Sequence, residues 1–324
     1  MKKIVIMPYF GKFPVCFDLW LHSCELNASI DFLVVTDQTA PREVSANVRW
    51  VNISFEELRQ QFQKKLGFRI WLKNPYKLCD YKGFYGFLFS EYLQGYDFWG
   101  YCDCDVIFGN IQDFLPEELF ERYDKLLRTG HLSFIRNSPQ INENFRNYDT
   151  YKRVLTSPVI YGYDEAVDGY RKGFAGELME QGFRFYQNDQ LPADIDFRHY
   201  PLRVVTAPQA CCVFSYSDGT LEKIYREDGT LRREPCIYVH LQKRKMDVEP
   251  GVQKERFLIG PDRFLGWKPE LLVDEEFWKD ASTERDGYFN FRKERNKERM
   301  RDVRRLFYEP KKLACLRYRF QNKG

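Results

Sequence analysis

The chain has 324 residues and a formal net charge of +3, with 50 Lys and Arg against 47 Asp and Glu. That length suits one large α/β domain with an appendage, or two modest domains. Hydrophobic residues at 44% and aromatic residues at 17% exclude a disordered chain, and the small net charge leaves no electrostatic footprint for nucleic acid.

Ile4 to Met7 reads as a buried first strand that stops at Pro8, followed by a loop over 9–14 and a helix from Phe17 to Asn27. Asp31 to Asp37 and Val48 to Ile53 are the next strands. This strand–helix–strand order suggests a right-handed βαβ unit in a parallel sheet. Residues 54–68 and 77–93 read as helices. Residues 96–109 form a strand whose end carries Asp103 and Asp105, and further strands are expected at Leu132–Arg136, Arg203–Thr206 and Ile237–Leu241. There is no internal repeat.

From Glu284 onward fourteen Lys and Arg face six Asp and Glu; net +8 here and +3 overall leave −5 on the first 283 residues. Residues 290–308 read as one basic helix, with Phe291, Met300, Val303 and Phe307 sharing a face. Those residues pack the helix on the core, or the helix meets an anionic membrane surface.

The 28 Phe and 21 Tyr are read first as core filling and second as lining for a sugar or base pocket. Nine scattered Cys point to buried free thiols in a reducing compartment. The apolar run after Met1-Lys2-Lys3 is too short for a signal peptide, and no stretch approaches the roughly 18 apolar residues of a membrane span. A cytoplasmic protein is expected, or one attached peripherally to the inner face of the membrane.

Chemistry concentrates at Asp103-Cys104-Asp105. In a strand both carboxylates project to one face while Cys102 and Cys104 project to the other. Two carboxylates about 7 Å apart on one face are costly unless a cation or hydrogen-bond donors compensate them. Mn²⁺ or Mg²⁺ prefers oxygen ligands, shares them with substrate phosphates and neutralises a departing diphosphate. Zinc on Cys102 and Cys104 is the alternative, but no second Cys or His pair lies nearby. His240 lies beside Lys243, Arg244 and Lys245 and suits Mn²⁺ as a third ligand; otherwise it is a histidine next to a solvated basic turn.

Pro8-Tyr9-Phe10-Gly11-Lys12-Phe13-Pro14, together with Tyr101-Cys102-Asp103-Cys104-Asp105-Val106-Ile107-Phe108-Gly109, resembles the GT-A class of nucleotide-sugar glycosyltransferases. The resemblance is to retaining, Mn²⁺-dependent glycogenin-like and bacterial polysaccharide-locus families, and to a related bacterial group of unestablished function. It covers roughly residues 1–245 and leaves 246–324 as a basic, largely helical C-terminal extension. It implies a Rossmann-like α/β fold with a mostly parallel central sheet flanked by helices. The implied activity moves a sugar, with retention, from a nucleotide diphosphate donor (UDP favoured) to a glycan or lipid-linked acceptor in surface polysaccharide synthesis.

Residue by residue, the resemblance implies that Asp103 lies near the donor ribose and metal, Asp105 is the principal metal ligand and His240 completes the set. Lys243 or Lys245 would meet the diphosphate, although Gln242 and Lys243 depart from the His-x-x-Gly-x-x-Lys pattern. Asp80 and Lys82 would meet the sugar or diphosphate, with a Lys77–Asp80 pair as the alternative. Tyr9 and Phe10 would stack on the base or pack within their loop. Asn188-Asp189-Gln190 resembles the motif beside the reacting carbon, where Asp189 or Gln190 supports the departing phosphate and sugar; a helix cap is the other reading. Two further readings compete: a catalytically silent nucleotide-sugar or glycan-binding module, and a metal-dependent phosphohydrolase.

Overall fold

A computed structural model describes residues 1–166, 173–242 and 244–308. Its first strand, β1 (Lys3–Tyr9), is apolar on both sides, as a strand buried between two layers must be. After helix α1 (Phe17–Glu25) come β2 (Asp31–Thr36) and β3 (Val48–Asn52), both parallel to their neighbours, and β1 also pairs in parallel with β4 (Phe98–Cys102). The strand expected to stop at Pro8 runs on to Tyr9, pairing Pro8 with Val35 and Tyr9 with Thr36. Its pairing with β4 ends at Ile6, so one flank carries no ladder where the proline sits.

Helix α2 (Phe55–Leu66) falls within the helix expected over 54–68. Ser54 and Glu57 form a reciprocal capping box, and Gly67, at φ +77°, closes the other end. The helix expected over 77–93 is instead a 3₁₀ helix, Pro75–Phe84, then the short α-helix Tyr85–Leu88 and the turn Ser90–Tyr92. Asn74 caps the first piece through Tyr76 N–H. Lys77, Leu78, Asp80, Tyr81, Lys82 and Phe84 are all buried there, so no polar face exists to favour an amphipathic α-helix.

The remaining strands are β5 (Val106–Phe108), β6 (Lys125–Leu126), β7 (Leu132–Arg136), β8 (Phe185–Tyr186), β9 (Pro192–Asp194), β10 (Leu202–Val204), β11 (Ala207–Ser217), β12 (Thr220–Glu227) and β13 (Thr230–Pro235). They continue with β14 (Tyr238–His240), β15 (Asp247–Val248), β16 (Arg256–Ile259) and β17 (Arg263–Gly266). The central sheet runs β3-β2-β1-β4-β7-β6-β8 and is parallel except where β7 meets β4 and β6. This is the mixed α/β class with a parallel-rich sheet. Alternate residues feed separate cores: Val5, Met7, Phe32 and Val34 join one, Ile4, Ile6, Leu33 and Val35 the other.

A second sheet, β13-β12-β11-β16-β17-β15 with β10 on β11, spans both sides of residue 245. The domain boundary expected there falls inside that sheet, and the segment 247–266 carries the short strands β15, β16 and β17 rather than helices. Leu272, Trp278 and Ala281 then cover Val213, Ile224 and Leu258 in a small third core. The expected basic helix is present as Phe291–Tyr308. Phe291, Met300 and Val303 are exposed, so they do not fasten it to the core; the Phe307 side chain lies outside the described residues.

Among the described residues no helix is long and apolar enough to cross a membrane, and the eight described cysteines are all free. A three-stranded sheet, β5-β14-β9, has β14 at its centre. It carries the residues that matter next.

Candidate active site

β4 ends at Cys102, and the chain bends through Asp103-Cys104-Asp105 before entering the three-stranded sheet as β5. The two aspartates therefore sit at a crossover between sheets, not within a strand. Backbone bonds pin this bend: Asp103 N–H donates to the His131 carbonyl at 3.4 Å, and Leu241 N–H to the Asp105 carbonyl at 2.9 Å. The expected division of faces holds in outline, since Cys102 and Cys104 join the core while both carboxylates converge near His240. Burial pushes both thiols well above the ordinary range, so they stay protonated.

Strand register places His240 between Val106 of β5 and Asp194 of β9. Its Nδ1 lies 2.8 Å from Asp194 Oδ1 and its Nε2 3.5 Å from Asp105 Oδ1. Gln242 donates to the same Asp194 oxygen at 2.7 Å and is held at φ +51°, a left-handed conformation uncommon for a non-glycine residue. The His131 ring stacks on His240 with centroids 4.0 Å apart, and its Nδ1 lies 2.8 Å from the Tyr238 hydroxyl. Lys82, from the 3₁₀ helix, donates to Asp103 Oδ1 at 2.6 Å and to the Gly130 carbonyl at 2.9 Å.

Burial opposes a charge on His240, but the carboxylates of Asp105 and Asp194 override it and raise its pKa to about 9. His131 goes the other way: burial, reinforced by His240, pushes it down to about 3. Burial alone would raise Asp103 and Asp194; Lys82 lowers the first and the His240 hydrogen bond the second. Asp103 and Asp194 are thus held ionised, one by an ammonium and one by an imidazole.

Asp103, Asp105 and His240 each offer one ligand atom, all within 4.8 Å of one another. Neighbouring ligands of one octahedral ion with bonds near 2.1 Å lie about 3 Å apart, so a small inward shift of the 3.5 Å pair would hold an ion. Two carboxylates and an imidazole suit Mn²⁺ or Mg²⁺. Asp194 fixes Nδ1 and leaves Nε2 toward the site, the outer-shell arrangement common at metal-binding histidines. His131, Asp194 and His240 form a second close group, but Asp194 Oδ1 already accepts from Gln242 and lies against His240, and His131 Nδ1 lies against Tyr238. The residues present fit the first group better.

Asp103, Asp105 and His240 line a cleft of about 940 Å³, together with Tyr9, Phe10, Lys82 and Lys245. Tyr9 stacks on Phe13 at 5.3 Å and donates to the Lys12 carbonyl. Phe10 lines the cleft from the core, its ring 5.2 Å from Phe55. Lys245 is exposed, and Lys243 lies outside the described residues. Arg244 is buried and spent on the carbonyls of His199, Tyr200 and Pro261.

Asp80 does not line this cleft. It is fully buried, accepts from Lys77 Nζ at 2.7 Å and takes the backbone N–H groups of Tyr161, Gly162 and Tyr163. The Lys77 pairing, the alternative for this residue, is the one present, and its oxygens are fully used in tying down a loop. Asp189 and Gln190 occupy an exposed turn between β8 and β9 and do not line the cleft either. Sequence reading missed Asp194 and His131. A signal existed for the first, since Asp194-Ile195-Asp196 is a second D-x-D triplet.

The chain belongs to a family of unknown function (DUF6625), whose family model matches residues 5–268. No curated protein matches it. Among solved structures it is similar to an active-site mutant of LgtC, at 12% identity and TM-score 0.35, over 88% of this chain and 98% of that one. It is also similar to mouse xyloside xylosyltransferase 1, at 11% identity and TM-score 0.36, over 60% and 88%. A third is apo GlyE of Streptococcus pneumoniae TIGR4, at 16% identity and TM-score 0.30, over 59% and 46%.

Proposed function

We infer that this chain is a metal-dependent glycosyltransferase of the GT-A type, using a nucleotide diphosphate sugar as donor, with UDP favoured. One observation carries the reading: Asp103, Asp105 and His240 converge on a cleft lined by an aromatic ring and by lysines. A bound Mn²⁺ or Mg²⁺ would offset the charge that develops on the leaving diphosphate.

The chain's own residues do the rest. Asp194 orients His240 so that Nε2 faces the cleft, and Lys82 keeps Asp103 ionised. Lys245 supplies a mobile positive charge for the diphosphate, and Tyr9 a ring beside the base. The acceptor, a glycan or lipid-linked saccharide of surface polysaccharide synthesis, attacks the sugar with retention. Asp189 and Gln190 would serve there only if their turn moves toward the cleft.

The test is donor turnover. Release of nucleoside diphosphate from a nucleotide sugar, dependent on Mn²⁺ and abolished in Asp105→Ala with the fold intact, supports transfer; product NMR then reads the anomeric outcome. The Lys82 ammonium beside Asp103 favours one other reading, a silent binding module whose own lysine fills the cation position. Donor binding with no turnover in the presence of Mn²⁺ would establish it.

A further inference from the structure

A second cleft, of about 1270 Å³, opens between Phe197–Arg198, Lys245 and the segment 288–297. Lys245 belongs to the lining of both clefts, so the two are neighbours across one side chain. Arg244 anchors that partition, binding the carbonyls of His199, Tyr200 and Pro261 while its guanidinium lies 5.3 Å from the Tyr288 ring.

Charge and rings characterise this second lining. Arg198 is paired with Asp196, and Lys297 with Glu294. Among the described residues Lys245, Arg292, Lys293 and Arg295 have no carboxylate partner, and Glu294 is the sole acid in the lining. Phe197, Phe289 and Phe291 form a ladder of rings with centroids 5.5 and 4.6 Å apart, and Phe291 is 62% exposed. Unpaired cations bind phosphate or carboxylate through charge-assisted hydrogen bonds, and exposed rings offer apolar faces to a ligand's less polar surface.

We propose that this second cleft is the acceptor subsite and that the acceptor is an anionic saccharide bearing phosphate, carboxylate or sulfate. The proposal rests on the transferase reading of the adjoining site. Concavity decides between this ligand and a membrane surface: a chain of sugars enters a cleft walled on two sides and reaches Lys245, whereas a flat bilayer meets only its rim. An anionic saccharide is therefore the occupant.

Calorimetric titration of the full-length protein with a heparin-derived tetrasaccharide tests this, with maltotetraose as the uncharged control. The tetrasaccharide should bind and maltotetraose should not. Arg292→Ala with Arg295→Ala, both exposed, should weaken binding about tenfold or more, while Lys64→Ala with Arg69→Ala, removing equal charge elsewhere, should leave it nearly unchanged. Asp105→Asn should keep tetrasaccharide binding, and the arginine variant should keep nucleotide binding, so this proposal and the donor-site reading fail separately. No binding, equal losses in both double variants, or binding only to vesicles of equal phosphatidylcholine and phosphatidylglycerol would overturn it.

Discussion

His240 and Asp194 lie opposite each other in register on β14 and β9, with Nδ1 and Oδ1 2.8 Å apart. A carboxylate in that position fixes the ring's rotation and directs Nε2 toward Asp105. Removing such an outer-shell partner typically costs 10–100-fold in metal affinity. Asp194→Ala should weaken Mn²⁺ binding by about that range, read by Mn²⁺ electron paramagnetic resonance, with Asp194→Asn intermediate. Unchanged affinity in both would reduce Asp194 to a structural role.

The same imidazole sets a pH dependence. Its pKa of about 9 lies above the ordinary value near 6.5. Its contribution to stability is therefore complete below about pH 6.5 and lost as pH rises through about 9. A metal must displace that proton, so apparent Mn²⁺ affinity should climb about tenfold per pH unit from 7 toward 9 and then level off. His131, held near 3, contributes stability above about pH 6.5 that is lost as pH falls toward 3. Calorimetry in buffers of different ionisation enthalpy should register one proton released per metal at pH 7.5.

Lys82 occupies the Asp103 side of the site, and the two side chains are 9% and 36% exposed. Lys82→Met leaves Asp103 without its cation. Water recovers part of the cost at the more exposed carboxylate, so a loss of about 1–3 kcal/mol is expected. Mn²⁺ should then raise the melting temperature of the variant more than that of the wild type, because the metal takes over the neutralising role. Equal shifts would mean that Lys82 and the metal do not share Asp103.

Cys102 and Cys104 separate packing from ligation. Both are buried, so Cys102→Ser and Cys104→Ser should each cost about 1–3 kcal/mol through a hydroxyl left without a partner, with Mn²⁺ affinity intact. Denaturant unfolding and metal titration of the same samples check both halves. Loss of metal binding without loss of stability would point to a thiolate ligand.

Much of the central sheet was legible because its strands are short apolar runs bounded by loops, as at Ile4–Met7 and Asp31–Asp37, and α2 falls within the helix expected over 54–68. The 3₁₀ helix Pro75–Phe84 was not, since the near-helical spacing of apolar residues over 77–93 suggests an α-helix and only tertiary burial of Lys77, Asp80 and Lys82 shows otherwise. In the site, Asp103 and Asp105 stand out through local spacing, and His240 through its scarcity and basic neighbours. Asp194 is 46 residues from His240, and only the β9–β14 register joins them. No local pattern carries that pairing.

The most direct test is thermal stability of the wild type and Asp105→Asn with UDP, GDP, CDP and ADP, each with and without Mn²⁺. A diphosphate at 100 times its dissociation constant adds about 2.7 kcal/mol to stability. The account predicts that one nucleotide, UDP foremost, gives this gain only with Mn²⁺ and only in the wild type. No gain from any pair, or an equal gain in Asp105→Asn, would contradict it.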